Sequence, residues 1–100
     1  MSRVIIDMNT VTFQRGLFAL GKQERHAVLN TLARTFQIEW ATVYEVSGLN
    51  WEAVKTQTGP QGEKLYSLRI TQKMRMLCFR RGDTLFCLSV HPDHDSAYSR

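Results

Sequence analysis

The dipeptide Gly82-Asp83 constrains this chain more than any other feature. It separates two β-type runs, Met74–Arg81 and Thr84–Val90, and glycine at the first of two central positions suits a two-residue type II′ hairpin turn. A further run, Leu65–Ile70, precedes them across Thr71-Gln72-Lys73. The last third of the chain is therefore expected to form consecutive antiparallel strands. A tight turn also sets the register. With regular pairing, Phe79 faces Phe86, Leu77 faces Leu88 and Arg75 faces Val90 on one side of the ladder. Cys78 faces Cys87, Met76 faces Ser89 and Met74 faces His91 on the other. The first side carries the larger apolar groups and is the expected core face.

The remaining sequence supplies helices to cover that sheet. Residues 3–8, RVIIDM, are β-branched and read as a first strand, with Asn9 and Thr10 as turn or cap residues. Phe13, Leu17 and Leu20 recur at helical spacing until Gly21 interrupts the pattern. Lys22 to Phe36 reads as a second amphipathic helix with Leu29, Leu32, Ala33 and Phe36 as its apolar stripe. Residues 39–47 predict a short third helix ending at Gly48, with Trp40, Val43 and Tyr44 at near-helical spacing. Trp51 is expected in the core. Glu52 is expected to pair with a basic group or cap a turn, and a role as a base is the less favoured reading. Thr56–Glu63, with two glycines and a proline, reads as a loop. The expected order is β-α-α-(α)-β-β-β. It describes an α+β domain over residues 1–100, a small antiparallel sheet packed against an N-terminal helical hairpin.

Composition excludes several classes. A chain of 100 residues with 43% hydrophobic content can bury one core. No apolar run approaches the roughly 18 to 20 residues that a membrane helix requires, and residues 1–8 are too short for a signal peptide. The expected compartment is the cytoplasm, where Cys78 and Cys87 would be packed, reduced thiols. Two cysteines do not make a structural zinc site. The formal net charge of +4 is unevenly spread. Lys64, Arg69, Lys73, Arg75, Arg80 and Arg81 fall within 64–81 with no acidic residue between them, a pattern suited to phosphate or to an acidic protein.

Two segments could carry chemistry. Arg69 and Arg75 flank the connection that contains Lys73, and the planar guanidinium matches phosphate with paired hydrogen bonds. The tail HPDHDSAYSR places His91, His94, Asp95 and Tyr98 directly after the last strand, where histidine can act as a general acid or base. A metal held by His91, His94 and Asp93 or Asp95 matches no strong ligand spacing, and no metal or other cofactor is expected. RNA carries its own nucleophile in the 2′-OH. Cleavage then needs in-line alignment, cations on the phosphate and a proton for the leaving 5′-oxygen. Regular strand parity, however, puts His91 on the face opposite Arg75, so the two could converge only if the chain turned near Pro92.

The segments GLNWE (48–52), LYSLRIT (65–71) and MRMLCFRRGDTLFCLSVHPDHDSAY (74–98) together resemble the RelE/ParE toxin superfamily, nearest to its RelE-like or HigB-like members. The resemblance spans roughly residues 40–98. It implies a β-α-α-β-β-β fold, an inhibitory antitoxin partner and an endoribonuclease that cleaves mRNA on the ribosome. By position it implies Arg75, His91, His94 and Tyr98 as catalytic groups, with Arg69 and Lys73 as contacts to RNA phosphate; Arg80 and Arg81, from the basic stretch, are expected as further phosphate contacts. It leaves open a homo-oligomer or a toxin–antitoxin hetero-oligomer. Two other readings compete: a ParE-like inhibitor of DNA gyrase that acts by binding alone, and a basic interaction module without chemistry. The His/Tyr-rich tail favours the nuclease.

Overall fold

The computed structural model describes residues 2–92. The elements run β1 (Ile5–Asp7), α1 (Val11–Ala19), α2 (Lys22–Phe36), α3 (Trp40–Glu45), β2 (Glu52–Thr58), β3 (Lys64–Arg69), β4 (Arg75–Arg81) and β5 (Thr84–His91). The sheet order is β1-β5-β4-β3-β2. It is antiparallel except where β1 runs parallel to β5. This is the expected α+β class, with two amendments: the sheet is mixed, and it gains an edge strand. Residues 56–58 belong to β2 and not to a loop. A strand at the edge needs few buried side chains, and β2 buries only Val54, so it carries almost no hydrophobic alternation.

Helix α1 forms where expected. The Asp7 carboxylate accepts the backbone N–H of Asn9 at 2.9 Å and turns the chain out of β1. Phe13, Leu17 and Leu20 are all buried. Gly16 lets this helix approach β5 closely, because a Cβ there would meet Val90 Cγ2 at 2.9 Å. Helix α2 is rolled from its expected orientation. Its buried face is Val28, Thr31, Leu32 and Thr35, whereas Leu29 and Phe36 are 42% and 57% exposed. The threonines tolerate burial because the Thr35 hydroxyl donates to the Thr31 carbonyl at 2.8 Å.

The core also lies on the face not expected. Met76, Cys78, Leu85, Cys87 and Val90 meet Phe13, Leu17, Val28, Leu32, Trp40 and Val43 of the helices. Leu77, Phe79, Phe86 and Leu88 form a smaller cluster with Val54 and Leu65 on the opposite, outer face. Both sides of this ladder are apolar, so side-chain size alone does not tell which one meets the helices.

The hairpin turn is as expected. Gly82 has φ +60 and Asp83 is not among the positive-φ residues, the pattern of a type II′ turn. Cys78 pairs with Cys87 and Phe79 with Phe86. Beyond that point the register shifts by one residue. Leu77 faces Ser89, Met76 faces Val90 and Arg75 faces His91. Leu88 is thus the extra residue of a β-bulge, and every pairing beyond it differs from the regular ladder.

Candidate functional site

The bulge at Leu88 decides what the outer face presents. Arg69 of β3 pairs with Arg75 of β4, and Arg75 pairs with His91 of β5. Directly paired residues share a face. The three side chains therefore form one transverse row on the outer face, spanning about 10 Å from the first Cα to the last. The expected separation of His91 from Arg75 does not occur, and no turn at Pro92 is needed to join them. Two residues along each strand, on the same face, Glu52, Ser67, Leu77 and Ser89 form a second row beside the first.

The two arginines are held differently from ordinary surface cations. Arg75, expected as a catalytic group at the RNA phosphate, is only 4% exposed. Its Nη1 donates to the carbonyls of Thr71 at 2.9 Å, Gln72 at 3.2 Å and Met74 at 3.2 Å. The guanidinium thus clamps the β3–β4 connection that carries Lys73. Among the described residues, no carboxylate forms an ion pair with Arg69 or Arg75. Nε of each is buried without a hydrogen-bond partner among those residues. Two like charges in a directly opposed pair repel each other, and a buried donor left unpaired is costly. An anion brought to this row would relieve both terms.

His91 is half-buried, and its Nε2 lies 2.8 Å from Ser89 Oγ. Beside it opens a cleft of about 440 Å³ lined by Thr12, Gly16, Gln57, Leu77, Ser89 and His91, among others. A neighbouring hollow shares Thr12, Gln57, Leu77 and Ser89 with it and continues to Gly59 and Pro60. The two hollows thus adjoin along Thr12, Gln57, Leu77 and Ser89. Gln57 reaches them because the β2–β3 register is irregular between Val54 and Thr58.

Arg80 and Arg81 lie at the other end of β4, six residues along, or about 20 Å away. Arg80 stacks over the Trp40 ring with 4.4 Å to its centroid. It donates from Nη1 to the Tyr44 hydroxyl at 2.7 Å and forms an ion pair with Asp83. Arg81 is paired with the Glu63 carboxylate and lies over Phe79 and Phe86. The structure does not bring these two arginines to Arg69, Arg75 and His91. Glu63 is held below its ordinary pKa, first by the backbone N–H of Gln61 and also by Arg81.

His94 and Tyr98, with Asp93 and Asp95, lie outside the described residues. Among the described residues, no three His, Cys, Asp or Glu side chains gather where they could hold a metal. Cys78 and Cys87 are buried free thiols facing each other on the core side. Burial pushes the Cys87 pKa up to about 12, aided by the nearby Asp7 charge, and pushes Cys78 well up too. Both effects disfavour the thiolate, the reactive form. Among the described residues, no helix is long and apolar enough to cross a membrane. Sequence reasoning passed over Ser67, Gln57 and Ser89. Only Ser89 left a trace, as the polar residue that interrupts the alternation of LFCLSVH.

No family model and no curated protein matches the chain. One solved structure, a copper-bound mutant toxin from Helicobacter pylori, is similar over 96% of this chain and 98% of that one. The TM-score is 0.49 and the sequence identity is 15%.

Proposed function

We propose that this protein is the toxin of a type II toxin–antitoxin pair and an endoribonuclease that cleaves mRNA, most simply on the ribosome. The observation that supports it is the row Arg69–Arg75–His91. Two guanidiniums without an ion-paired carboxylate among the described residues stand in register with one imidazole, and the imidazole lines an open cleft. This is the pairing of charge stabilisation with proton transfer that RNA cleavage requires.

The reaction balances without a co-reactant. The 2′-oxygen of the substrate attacks the adjacent phosphorus and loses its proton. The bond from phosphorus to the 5′-oxygen breaks, and that oxygen gains a proton. The products are a 2′,3′-cyclic phosphate and a 5′-hydroxyl. Arg69 and Lys73 would contact the phosphate directly. Arg75 is largely buried, so it would contribute its charge and hold the turn that presents Lys73. His91 would move a proton, and His94 and Tyr98 remain the further groups proposed for that step. Arg80 and Arg81 would serve at most as remote contacts to the RNA strand. An acidic antitoxin segment crossing the Arg69 end of the sheet would block the site through charge.

Expression in growing cells tests this reading, with primer extension on mRNA and DNA supercoiling followed separately. Discrete new mRNA ends with normal supercoiling are expected. Intact mRNA during full growth arrest would refute the nuclease. Altered supercoiling would then point to a gyrase inhibitor, and neither change to a binding module.

A further inference from the structure

We propose that Ser89 is a positioning residue for His91. This rests on the reading of His91 as a proton-transfer group, and it follows from the bulge. In a regular ladder Ser89 would face Met76, on the core side of the sheet. Because Leu88 is the extra residue, Ser89 instead faces Leu77 and lies on the outer face with His91, two residues away on the same strand. Its hydroxyl oxygen lies 2.8 Å from His91 Nε2, and both residues line the same cleft. One inserted residue thus delivers both the imidazole and the group that holds it.

The consequence is chemical. A hydroxyl accepts from a protonated Nε2 or donates to an unprotonated one, so it supports both states that a proton-transfer group passes through. It also fixes the ring plane and biases the tautomer, as second groups on functional histidines do. Among the described residues, the strand ladder brings two cations towards His91. Arg75 opposes it from β4, with Arg69 beyond on β3. The cleft residues from α1 and β2, Thr12 and Gln57, are uncharged. A hydroxyl accepting from Nε2–H favours the protonated ring, and this is the contribution Ser89 would make.

The test uses the full-length protein and the variants Ser89→Ala, Ser89→Thr and His91→Ala. The first readout needs no activity. The His91 ring nitrogens are followed by NMR through a pH titration. Ser89→Ala should change the tautomer balance and lower the midpoint, and Ser89→Thr should restore both. The second readout is cleavage of mRNA on purified ribosomes. Ser89→Ala should lower kcat about tenfold with KM unchanged, and should have no further effect in the His91→Ala background. Unchanged ring-nitrogen shifts in Ser89→Ala would overturn the proposal. So would a loss of rate that recurs fully in the His91→Ala background, since that marks a role in packing alone. If the wild type cleaves no RNA, the nuclease reading falls, while the ring-nitrogen titration still decides whether Ser89 holds His91.

Discussion

The two ends of β4 carry the same residue type in opposite circumstances. At the hairpin end, Arg80 has Asp83, the Trp40 ring and the Tyr44 hydroxyl, and Arg81 has Glu63. Their charges are answered within the fold. At the other end, Arg69 and Arg75 oppose each other, and no carboxylate among the described residues answers them. The comparison teaches that the basic stretch is not one surface. One end is tied to carboxylates and rings, and the other, which has no ion pair with a carboxylate among the described residues, is the end in register with His91.

The largest expected effects come from separating His91 from the arginines. His91→Ala should lower cleavage by about 100- to 10,000-fold, the usual cost of losing a positioned acid or base, with the fold intact by circular dichroism. Deleting Leu88 should restore the regular register and put His91 on the core side, with a loss as large. That variant also displaces Val90 from its contact with α1, so its thermal midpoint should fall. Wild-type cleavage by the Leu88 deletion would break the link between bulge and site.

Arg75→Ala should act on both stability and rate. Hydrogen bonds made by a charged group contribute roughly 1.5 to 3 kcal/mol each at most. Removing the clamp on the Thr71–Met74 connection should therefore cost on the order of 2 kcal/mol, offset in part by relief of the Arg69–Arg75 repulsion. Urea denaturation measures the net change. An unchanged or raised stability would mean that the buried charge outweighs the clamp.

These contrasts were only partly legible in the sequence. The Gly82-Asp83 turn, the α1 face of Phe13, Leu17 and Leu20, and the residue types of the site could all be read directly. The bulge could not, because an inserted residue changes parity without changing composition, and Leu88 is as apolar as its neighbours. The burial of Arg75 was hidden for a related reason. Its clamp acceptors are backbone carbonyls of a turn, which any residue type supplies. The rolled α2 escaped because Thr31 and Thr35 are buried through a backbone bond that hydrophobicity does not register.

Smaller effects sharpen the comparison through RNA binding. Removing one cation from an RNA phosphate should reduce the slope of log K against log salt by about 0.7 for single-stranded RNA. Arg69→Ala should show that change, and Arg81→Ala should leave the slope as in the wild type. Equal changes in both would erase the distinction between the two ends. A pH effect on stability is expected at the hairpin end. The lowered Glu63 pKa means that its pairing favours the fold above its ordinary value of 4.5 and is lost as pH falls through the folded value. Acid titration of Glu63→Gln against wild type should show a small divergence confined to that acid range.

The smallest expected signal comes from the cysteines on the core side. Burial holds Cys87 near 12 and Cys78 well above its ordinary value, so at pH 8 both should alkylate slowly in the native protein and fast once unfolded. Rapid native labelling would mean that this side of the sheet opens readily.

The most direct measurement of the central claim is cleavage of one defined mRNA on purified ribosomes by five proteins: wild type, Arg69→Ala, His91→Ala, Arg80→Ala and Arg81→Ala. Sharp cleavage is expected from the wild type and from both hairpin-end variants, with strong loss in Arg69→Ala and His91→Ala. Undiminished cleavage by Arg69→Ala and His91→Ala would contradict the account, because the chemistry would then lie somewhere other than the row that the bulge assembles.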